Sequence, residues 1–221
     1  MKDNQPKVIG FDLDNTLYEY EECNNFGMES VSNFLLSEIG VKKKDFLKDF
    51  RSSRKNVKNR LGSVASSHSR LLYFMEYLRS IGFINSYKKA KEMENIFWDK
   101  YLEKMSLDRN VENFLIKIKN LGIKTYILTD LTLDIQQRKI SKLKIADYFN
   151  LVLTSEEVGQ EKPMTKGFEM ASMILGFNYE ESWFIGDSLS KDIQSANKLN
   201  INAIHIKNNI SESFRELNNK L

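Results

Sequence analysis

The chain has 221 residues, of which 41% are hydrophobic and 29% charged, and its formal net charge is +3. This composition is typical of a globular protein and excludes long disorder, collagen-like repeats and a disulfide scaffold. One cysteine, Cys23, permits no intramolecular disulfide and no metal cage of cysteines, and it favours a reducing, cytoplasmic compartment. Because the N-terminus is polar and no apolar run approaches the roughly 18 residues of a membrane span, we expect neither a signal segment nor membrane insertion.

The first element is a predicted strand over residues 7–12, because a short apolar run there leads directly into acidic residues. From residue 21 to about residue 106, apolar residues recur at three- and four-residue spacing, which predicts about four amphipathic helices. Glycines mark the predicted breaks between them: Gly40, Gly62 and Gly82.

Strands and helices alternate after residue 108. The predicted strands are 124–129, 151–154, 183–186 and 201–206, and the predicted helices cover 111–122, 133–143, 166–175, 191–199 and a charged C-terminal segment. This alternation indicates an α/β fold with a doubly wound, Rossmann-like parallel sheet. We therefore expect an α/β core of residues 1–18 and 107–221, interrupted by a helical insert of residues 19–106.

Polar residues follow the predicted strands, and ligands of open parallel sheets bind at this carboxyl edge. They are Asp12, Asp14 and Thr16 after the first strand, then Thr129 and Asp130, then Lys162, then Asp187, Ser188 and Asp192. A single strand-end aspartate can equally be a helix N-cap. Two aspartates one residue apart face the same side, however, and clustered carboxylates repel one another unless a cation joins them. Such oxygens suit Mg²⁺, and a lysine with a threonine suits an anionic substrate.

With these residues the sequence resembles the haloacid dehalogenase-like hydrolase superfamily. Four motifs carry the resemblance: Asp12-x-Asp14-x-Thr16, Thr129, Lys162-Pro163, and Gly186-Asp187-Ser188 with Asp192. The resemblance covers the whole chain, and the segment between the first two motifs resembles the helical cap of that superfamily.

The resemblance implies a role for each motif residue. Asp12 would be the nucleophile and Asp14 the general acid and then base, with Mg²⁺ held by Asp12, Asp187 and the backbone carbonyl of Asp14. Thr129, Lys162 and the backbone N–H of Asp130 would bind the phosphoryl oxygens, and Asp192 would orient Lys162. Thr16 and Ser188 would support these groups.

Two positions bear on which members of the superfamily this chain resembles. Dehalogenases lack an aspartate at the position of Asp14, so its presence favours phosphoryl transfer. Phosphatases with this cap often carry Asn-Gly where this chain has Asp130-Leu131. A carboxylate there would repel a phosphate dianion unless it points away or is paired.

The predicted cap has a polarised charge. Residues 41–70 carry a net charge of +8, whereas residues 19–38 contain five glutamates and no lysine or arginine. A basic wall that faces Asp12 would steer an anionic substrate, whereas a solvated helix face is the ordinary alternative. The candidate substrate contacts are Tyr18, Arg51, Arg54, Arg60, His68 and Arg70.

We predict a Mg²⁺-dependent phosphomonoesterase that acts on a small metabolite such as a sugar phosphate or a nucleotide. The alternatives are a phosphomutase with the same aspartyl-phosphate chemistry and a catalytically weak, metabolite-binding regulatory protein. Nucleic-acid binding is not expected, because the basic stretch has neither interleaved aromatic residues nor a recognised reading motif.

Overall fold

A computed structural model of the chain describes residues 5–83, 86–207 and 209–221. The chain divides into two compact units. The first holds Ser106–Leu221 together with the N-terminal segment that ends at Glu19, and the second is Tyr20–Met105. The helices, in chain order, are α1 (Tyr20–Ile39), α2 (Lys43–Leu61), α3 (Arg70–Ser80), α4 (Ser86–Lys104), α5 (Arg109–Asn120), α6 (Leu133–Leu143), α7 (Ser155–Val158), α8 (Lys166–Leu175), α9 (Gln194–Asn197) and α10 (Ile210–Lys220).

The first unit is built on a parallel sheet. Its strands are β1 (Val8–Phe11), β2 (Lys124–Thr129), β3 (Leu151–Thr154), β4 (Ser182–Gly186) and β5 (Asn202–His205). They are ordered β3-β2-β1-β4-β5, and every pair is parallel. The predicted α/β class and the five predicted strands are confirmed, and the strand ends differ from the prediction by no more than one residue.

Both faces of this sheet are covered, which explains why its strands are mostly apolar between their ends. On one face, Tyr126 and Phe184 pack with Phe168 of α8. On the other face, Phe114 of α5 packs edge-to-face against both Phe11 and Phe214. The sheet is therefore the central layer of the unit, and only its strand ends are left to carry polar chemistry.

The second unit is a bundle of α1, α2, α3 and α4 around an aromatic core. The core includes Phe46, Phe50, Phe74, Tyr77 and Phe97, whose rings pack at centroid distances of 5.0–6.2 Å. The predicted helix breaks are confirmed: Gly40, Gly62 and Gly82 follow α1, α2 and α3 and have positive φ angles. None of the helices in the described part of the chain is both long enough and apolar enough to cross a bilayer.

Two local predictions need correction. The helix expected over 191–199 begins instead with a single wide turn, Leu189–Ile193, in which the Ile193 N–H donates to the carbonyl of Ser188, five residues back. Helix α7 was not expected, because four residues are too short to show a periodic pattern. It forms because Thr154 and Glu157 make a reciprocal capping box at its first turn.

Candidate active site

The carboxyl edge of the sheet gathers the predicted motif residues within the first unit. Asp12, Thr16, Thr129, Lys162 and Asp192 are buried there. The others are half-buried: Asp14, Asp130, Asp187 and Ser188. All nine lie at the end of β2, in the segments that follow β1, β2 and β4, or in the segment between β3 and α8, as parallel topology requires.

Asp12 is held at the end of β1 by its backbone and its side chain. Its N–H donates to the carbonyl of Ile185 at 2.9 Å, its Oδ1 accepts from Lys162 Nζ at 2.6 Å, and its Oδ2 accepts from Thr16 Oγ1 at 3.3 Å. Burial raises the pKa of the Asp12 carboxyl well above its usual value; Lys162 opposes this shift and Asp192 adds to it. A second cation beside Asp12 would therefore be bound favourably.

Lys162 joins two carboxylates across the site. Its Nζ lies 2.6 Å from Asp12 Oδ1 and 2.6 Å from Asp192 Oδ1, and it also donates to the carbonyl of Leu128 at 3.1 Å. Burial alone lowers the pKa of Lys162, but the neighbouring carboxylates outweigh this effect and raise that pKa above its usual value. The neighbouring carboxylates therefore favour the ammonium form of Lys162 within a buried charge network.

Asp192 can approach Lys162 because the residue that it packs against, Gly186, has no side chain. A Cβ added to Gly186 would lie 2.5 Å from Asp192 Cγ, which is closer than non-bonded carbon atoms approach. Asp192 Oδ2 accepts from the backbone N–H of Ser188 at 2.9 Å, so both carboxylate oxygens are hydrogen-bonded. The wide turn of Leu189–Ile193 thus places Asp192 against Lys162.

A metal ion fits the same edge by donor chemistry. Carboxylate oxygens of Asp12, Asp187 and Asp192 lie within 4.8 Å of one another. Asp12 and Asp187, the two carboxylates that the sequence predicts as metal ligands, both belong to this cluster, and such oxygens suit a divalent cation. Burial raises the pKa of Asp187, and the Asp192 charge raises it further. A cation would relieve this penalty on both ligands.

Thr129 is oriented by a residue that the motifs did not include. Gln136 of α6 is fully buried, and its Nε2 donates to Thr129 Oγ1 and to the carbonyl of Asp130, both at 2.7 Å. Because the Thr129 oxygen accepts this bond, its own hydroxyl hydrogen points elsewhere. The hydroxyl is the donor in a long hydrogen bond to the carbonyl of Asp130, at 3.3 Å.

The Asp130 carboxylate is paired. Its Oδ2 lies 2.6 Å from Lys191 Nζ, and its Oδ1 accepts from the backbone N–H of Lys162 at 3.1 Å. Burial lowers the pKa of Lys191, but Asp130 outweighs this effect, so the pKa is raised. Leu131 has φ 101°, the left-handed region that favours glycine, and Ser155 hydrogen-bonds both its N–H and its carbonyl. The backbone here takes a glycine-like turn without a glycine.

Asp14 is bound by Lys139, which, like Gln136, is a site residue that the sequence motifs did not include. Nζ of Lys139, on α6, lies 2.7 and 2.8 Å from the two Asp14 oxygens, and the Tyr18 hydroxyl donates to Oδ1. The sequence does hold a signal for Gln136 and Lys139. With Ile140 and Leu143 they occupy positions i, i+3, i+4 and i+7, the buried face of α6. Polar residues at such positions indicate buried partners.

The predicted cap residues lie within the second unit, apart from Tyr18. Arg51 and Arg54 are exposed on α2, Arg60 pairs with Glu76 at 3.2 Å, and His68 is half-buried in the short helical turn Ala65–His68. Arg70 is buried: it donates to Tyr20 Oη at 2.7 Å and to Asn24 Oδ1 at 3.0 Å, and it lies over the ring of Phe97. These contacts give Arg70 a structural role, and substrate contacts by the cap stay a prediction.

Comparisons with known proteins agree with this geometry. The family model for haloacid dehalogenase-like hydrolases matches residues 9–206. The chain is 35% identical to a ribulose-1,5-bisphosphate 5-phosphatase of Halopiger xanaduensis over 89% of this chain and 83% of that protein. It is 27% identical to a glyceraldehyde 3-phosphate phosphatase of Methanopyrus kandleri over 91% of this chain and 84% of that protein.

Solved structures share the fold. The hydrolase YfnB of Bacillus subtilis, crystallised with bound magnesium, superposes with a TM-score of 0.74 at 17% identity and covers 97% of this chain and 99% of its own. Hydrolases of this family generally use a divalent metal, in keeping with the acidic cluster of Asp12, Asp187 and Asp192. The chain belongs to the haloacid dehalogenase-like hydrolase family and is a phosphatase of small phosphorylated metabolites.

Proposed function

We propose that this phosphatase works through an aspartyl-phosphate on Asp12. A carboxylate oxygen of Asp12 attacks phosphorus, the bond to the leaving alcohol oxygen breaks, and water then hydrolyses the acyl phosphate. The observation that carries the proposal is the buried contact of Asp12 with Lys162 at 2.6 Å, with Asp192 on the other side of the same ammonium group. This network fixes the nucleophile and supplies positive charge where phosphoryl oxygens gather.

Asp14 is the proposed proton donor and acceptor. It gives a proton to the leaving oxygen in the first step and takes one from the attacking water in the second, so the enzyme returns to its starting state. Asp14 follows Asp12 by two residues, and its carboxyl is more exposed, at 27% against 10%. Greater exposure is what a group needs when it exchanges protons with a substrate and with water.

The phosphoryl oxygens are proposed to bind Thr129, the backbone N–H of Asp130 and Lys162. The bond from Gln136 supports this assignment, because it fixes the Thr129 oxygen as an acceptor, so that the hydroxyl hydrogen, which donates to the Asp130 carbonyl at 3.3 Å, would turn to a phosphoryl oxygen. Mg²⁺ is the proposed metal, held by the carboxylates of Asp12 and Asp187 and the backbone carbonyl of Asp14. When bound, Mg²⁺ would neutralise phosphoryl charge as the P–O bonds change.

A short phosphorylated sugar is the proposed substrate. The support comes from the relatives, whose names specify ribulose-1,5-bisphosphate and glyceraldehyde 3-phosphate as substrates. We also propose that residues 19–106 act as a cap domain that selects the leaving group, and that the enzyme is cytoplasmic, where its buried cysteine, Cys23, would stay a reduced thiol.

The test is a substrate panel with purified enzyme. Phosphate release is measured with ribulose-1,5-bisphosphate, glyceraldehyde 3-phosphate, phosphoserine, pyrimidine nucleotides and hexose phosphates, with Mg²⁺ and with EDTA. We expect metal-dependent phosphate release that is fastest with a triose or pentose phosphate. Isomer formation without phosphate release would indicate a mutase. Binding without turnover of any substrate would indicate a regulatory protein.

A further inference from the structure

Lys139 is a buried charge that none of the motifs explains. Its side chain on α6 is only 1% exposed, and its Nζ donates to both oxygens of Asp14 at 2.7 and 2.8 Å. The other residues on the buried face of α6 are Gln136, Ile140 and Leu143. An ammonium group is costly at such a position unless a carboxylate pairs with it, and an apolar residue of similar volume would be cheaper. Its presence therefore calls for a role beyond packing.

The geometry gives that role. The Asp14 carboxyl lies in a short segment after β1, and a carboxyl group has a soft terminal torsion. Lys139 binds both of its oxygens from one side, while the Tyr18 hydroxyl binds Oδ1. These bonds fix the rotation of the carboxyl plane, because each oxygen has an assigned donor. The acid–base group is thus held in one orientation by a residue on a rigid helix of the same unit.

We propose that Lys139 is a positioning residue for Asp14, and that it serves the proton transfers without touching the phosphoryl group. The proposal rests on the proposed function, in which Asp14 protonates the leaving oxygen and then accepts a proton from water. Lys139 remains an ammonium group in both steps and gains or loses no proton. Removing it would free the Asp14 carboxyl to rotate, and the fraction of encounters with productive geometry would fall.

The positioning role of Lys139 can be separated from phosphate binding by comparing substrates whose leaving groups do and do not need a proton. An alkyl phosphate such as glycerol 2-phosphate needs a proton on its leaving oxygen, whereas 2,4-dinitrophenyl phosphate leaves as a stable anion and needs none. The ratio kcat/KM reports the first half-reaction alone, since that step ends with departure of the alcohol. A residue that acts through Asp14 must therefore affect the alkyl substrate selectively, whereas a residue that binds phosphate must affect both substrates.

The experiment compares Lys139→Met, Asp14→Asn and the double variant with both substrates. For Lys139→Met we expect kcat/KM to fall about 10- to 100-fold with glycerol 2-phosphate and less than about threefold with 2,4-dinitrophenyl phosphate. Asp14→Asn should show the same selectivity with a larger loss, and the double variant should lose no more than Asp14→Asn. Lys142→Met, at an exposed position of the same helix, is the matched control and should match the wild type.

Three outcomes would overturn the proposal, and they separate it from the proposed function. Equal losses on both substrates in Lys139→Met, with a selective loss in Asp14→Asn, would reject Lys139 alone. No selectivity in Asp14→Asn would reject the acid role on which the proposal stands. If Lys139→Met does not fold, the double variant, which removes both charges, is compared with Asp14→Asn. A further loss there would mean that Lys139 acts independently of Asp14.

Discussion

The charged residues of the two units behave differently. The sheet edge of the first unit holds three buried charged residues, and Lys162 Nζ lies 2.6 Å from a carboxylate oxygen of Asp12 and 2.6 Å from one of Asp192. On α2 of the second unit, basic residues such as Arg51 and Arg54 are exposed, around a buried stripe of Phe46, Phe50, Ser53 and Val57. Burial forces each charge to have a defined partner, whereas exposed charges are solvated and contribute little to stability. The first set of charges therefore specifies a site, and the second is a surface until a ligand is shown to bind it.

Lys162→Met is expected to have the largest effect on this contrast. It leaves the Asp12 and Asp192 carboxylates buried without their shared cation, so we expect a loss of about 3–5 kcal/mol in the free energy of unfolding without added metal. Phosphatase activity should fall about 100-fold or more. Denaturant unfolding and steady-state kinetics measure the two effects. Lys48→Met, at an exposed position of α2, is the control in the second unit and should change neither quantity, so equal effects of both variants would remove the contrast.

Mg²⁺ affinity should increase with pH, because the proposed metal ligands are at least partly buried carboxyl groups. Burial raises the pKa values of Asp12 and Asp187, so at acidic pH protons compete with the metal for both ligands. We expect Mg²⁺ affinity, measured by calorimetry, to increase as the pH rises from 5 to 8, with protons released on binding. Asp187→Asn should weaken binding and reduce this pH dependence. A Mg²⁺ affinity that is constant over this range would contradict the assignment.

The electrostatic role of the Asp130–Lys191 pair can be tested with a second substitution that reverses the effect of the first. Lys191→Met leaves the Asp130 carboxylate uncompensated beside the proposed phosphate site, so inhibition by orthophosphate should weaken about tenfold. Asp130→Asn in the same chain removes the repulsive charge and should restore inhibition, and Lys191→Arg should retain it. Lys198→Met, at an exposed position, is the control. Failure of Asp130→Asn to restore phosphate binding would show that the pair has no electrostatic role there.

Arg70 is expected to give the smallest of these effects, and it acts on stability. It is the buried exception among the basic residues of the second unit, with bonds to Tyr20 and Asn24. Arg70→Met should lower the free energy of unfolding by about 1–3 kcal/mol, because both acceptors lose a charged donor. Thermal and denaturant unfolding measure this. A variant that keeps its stability but loses activity would instead support the predicted substrate contact.

The site residues that could be predicted from the sequence are those whose place follows from the order of strands and helices. Asp12, Thr129 and Asp187 could be located because each lies at the end of a strand or directly after it, and parallel topology brings strand ends together. Lys139 and Gln136 lie at helix positions normally filled by apolar residues, so only their tertiary partners, Asp14 and Thr129, reveal what they do.

The ion pairs between residues distant in the chain could not be predicted from the sequence either. The repulsion expected from the Asp130 carboxylate is offset by Lys191, a residue 61 positions later that no motif connects to it. The wide turn that carries Asp192 is another example, because helical periodicity predicts a regular helix from residue 191. Its actual course depends on the contacts of Asp192 with Lys162 and Ser188.

The identity of the nucleophile is the central claim, and trapping the phosphorylated residue tests it most directly. The enzyme is mixed with its best substrate and Mg²⁺, quenched within one turnover and treated with borohydride, which reduces an aspartyl-phosphate to homoserine. Peptide mass spectrometry then reads each residue. We predict homoserine at position 12 in the wild type, and neither homoserine nor turnover in Asp12→Asn. Unmodified Asp12 in an enzyme caught during turnover, together with an active Asp12→Asn variant, would contradict the account.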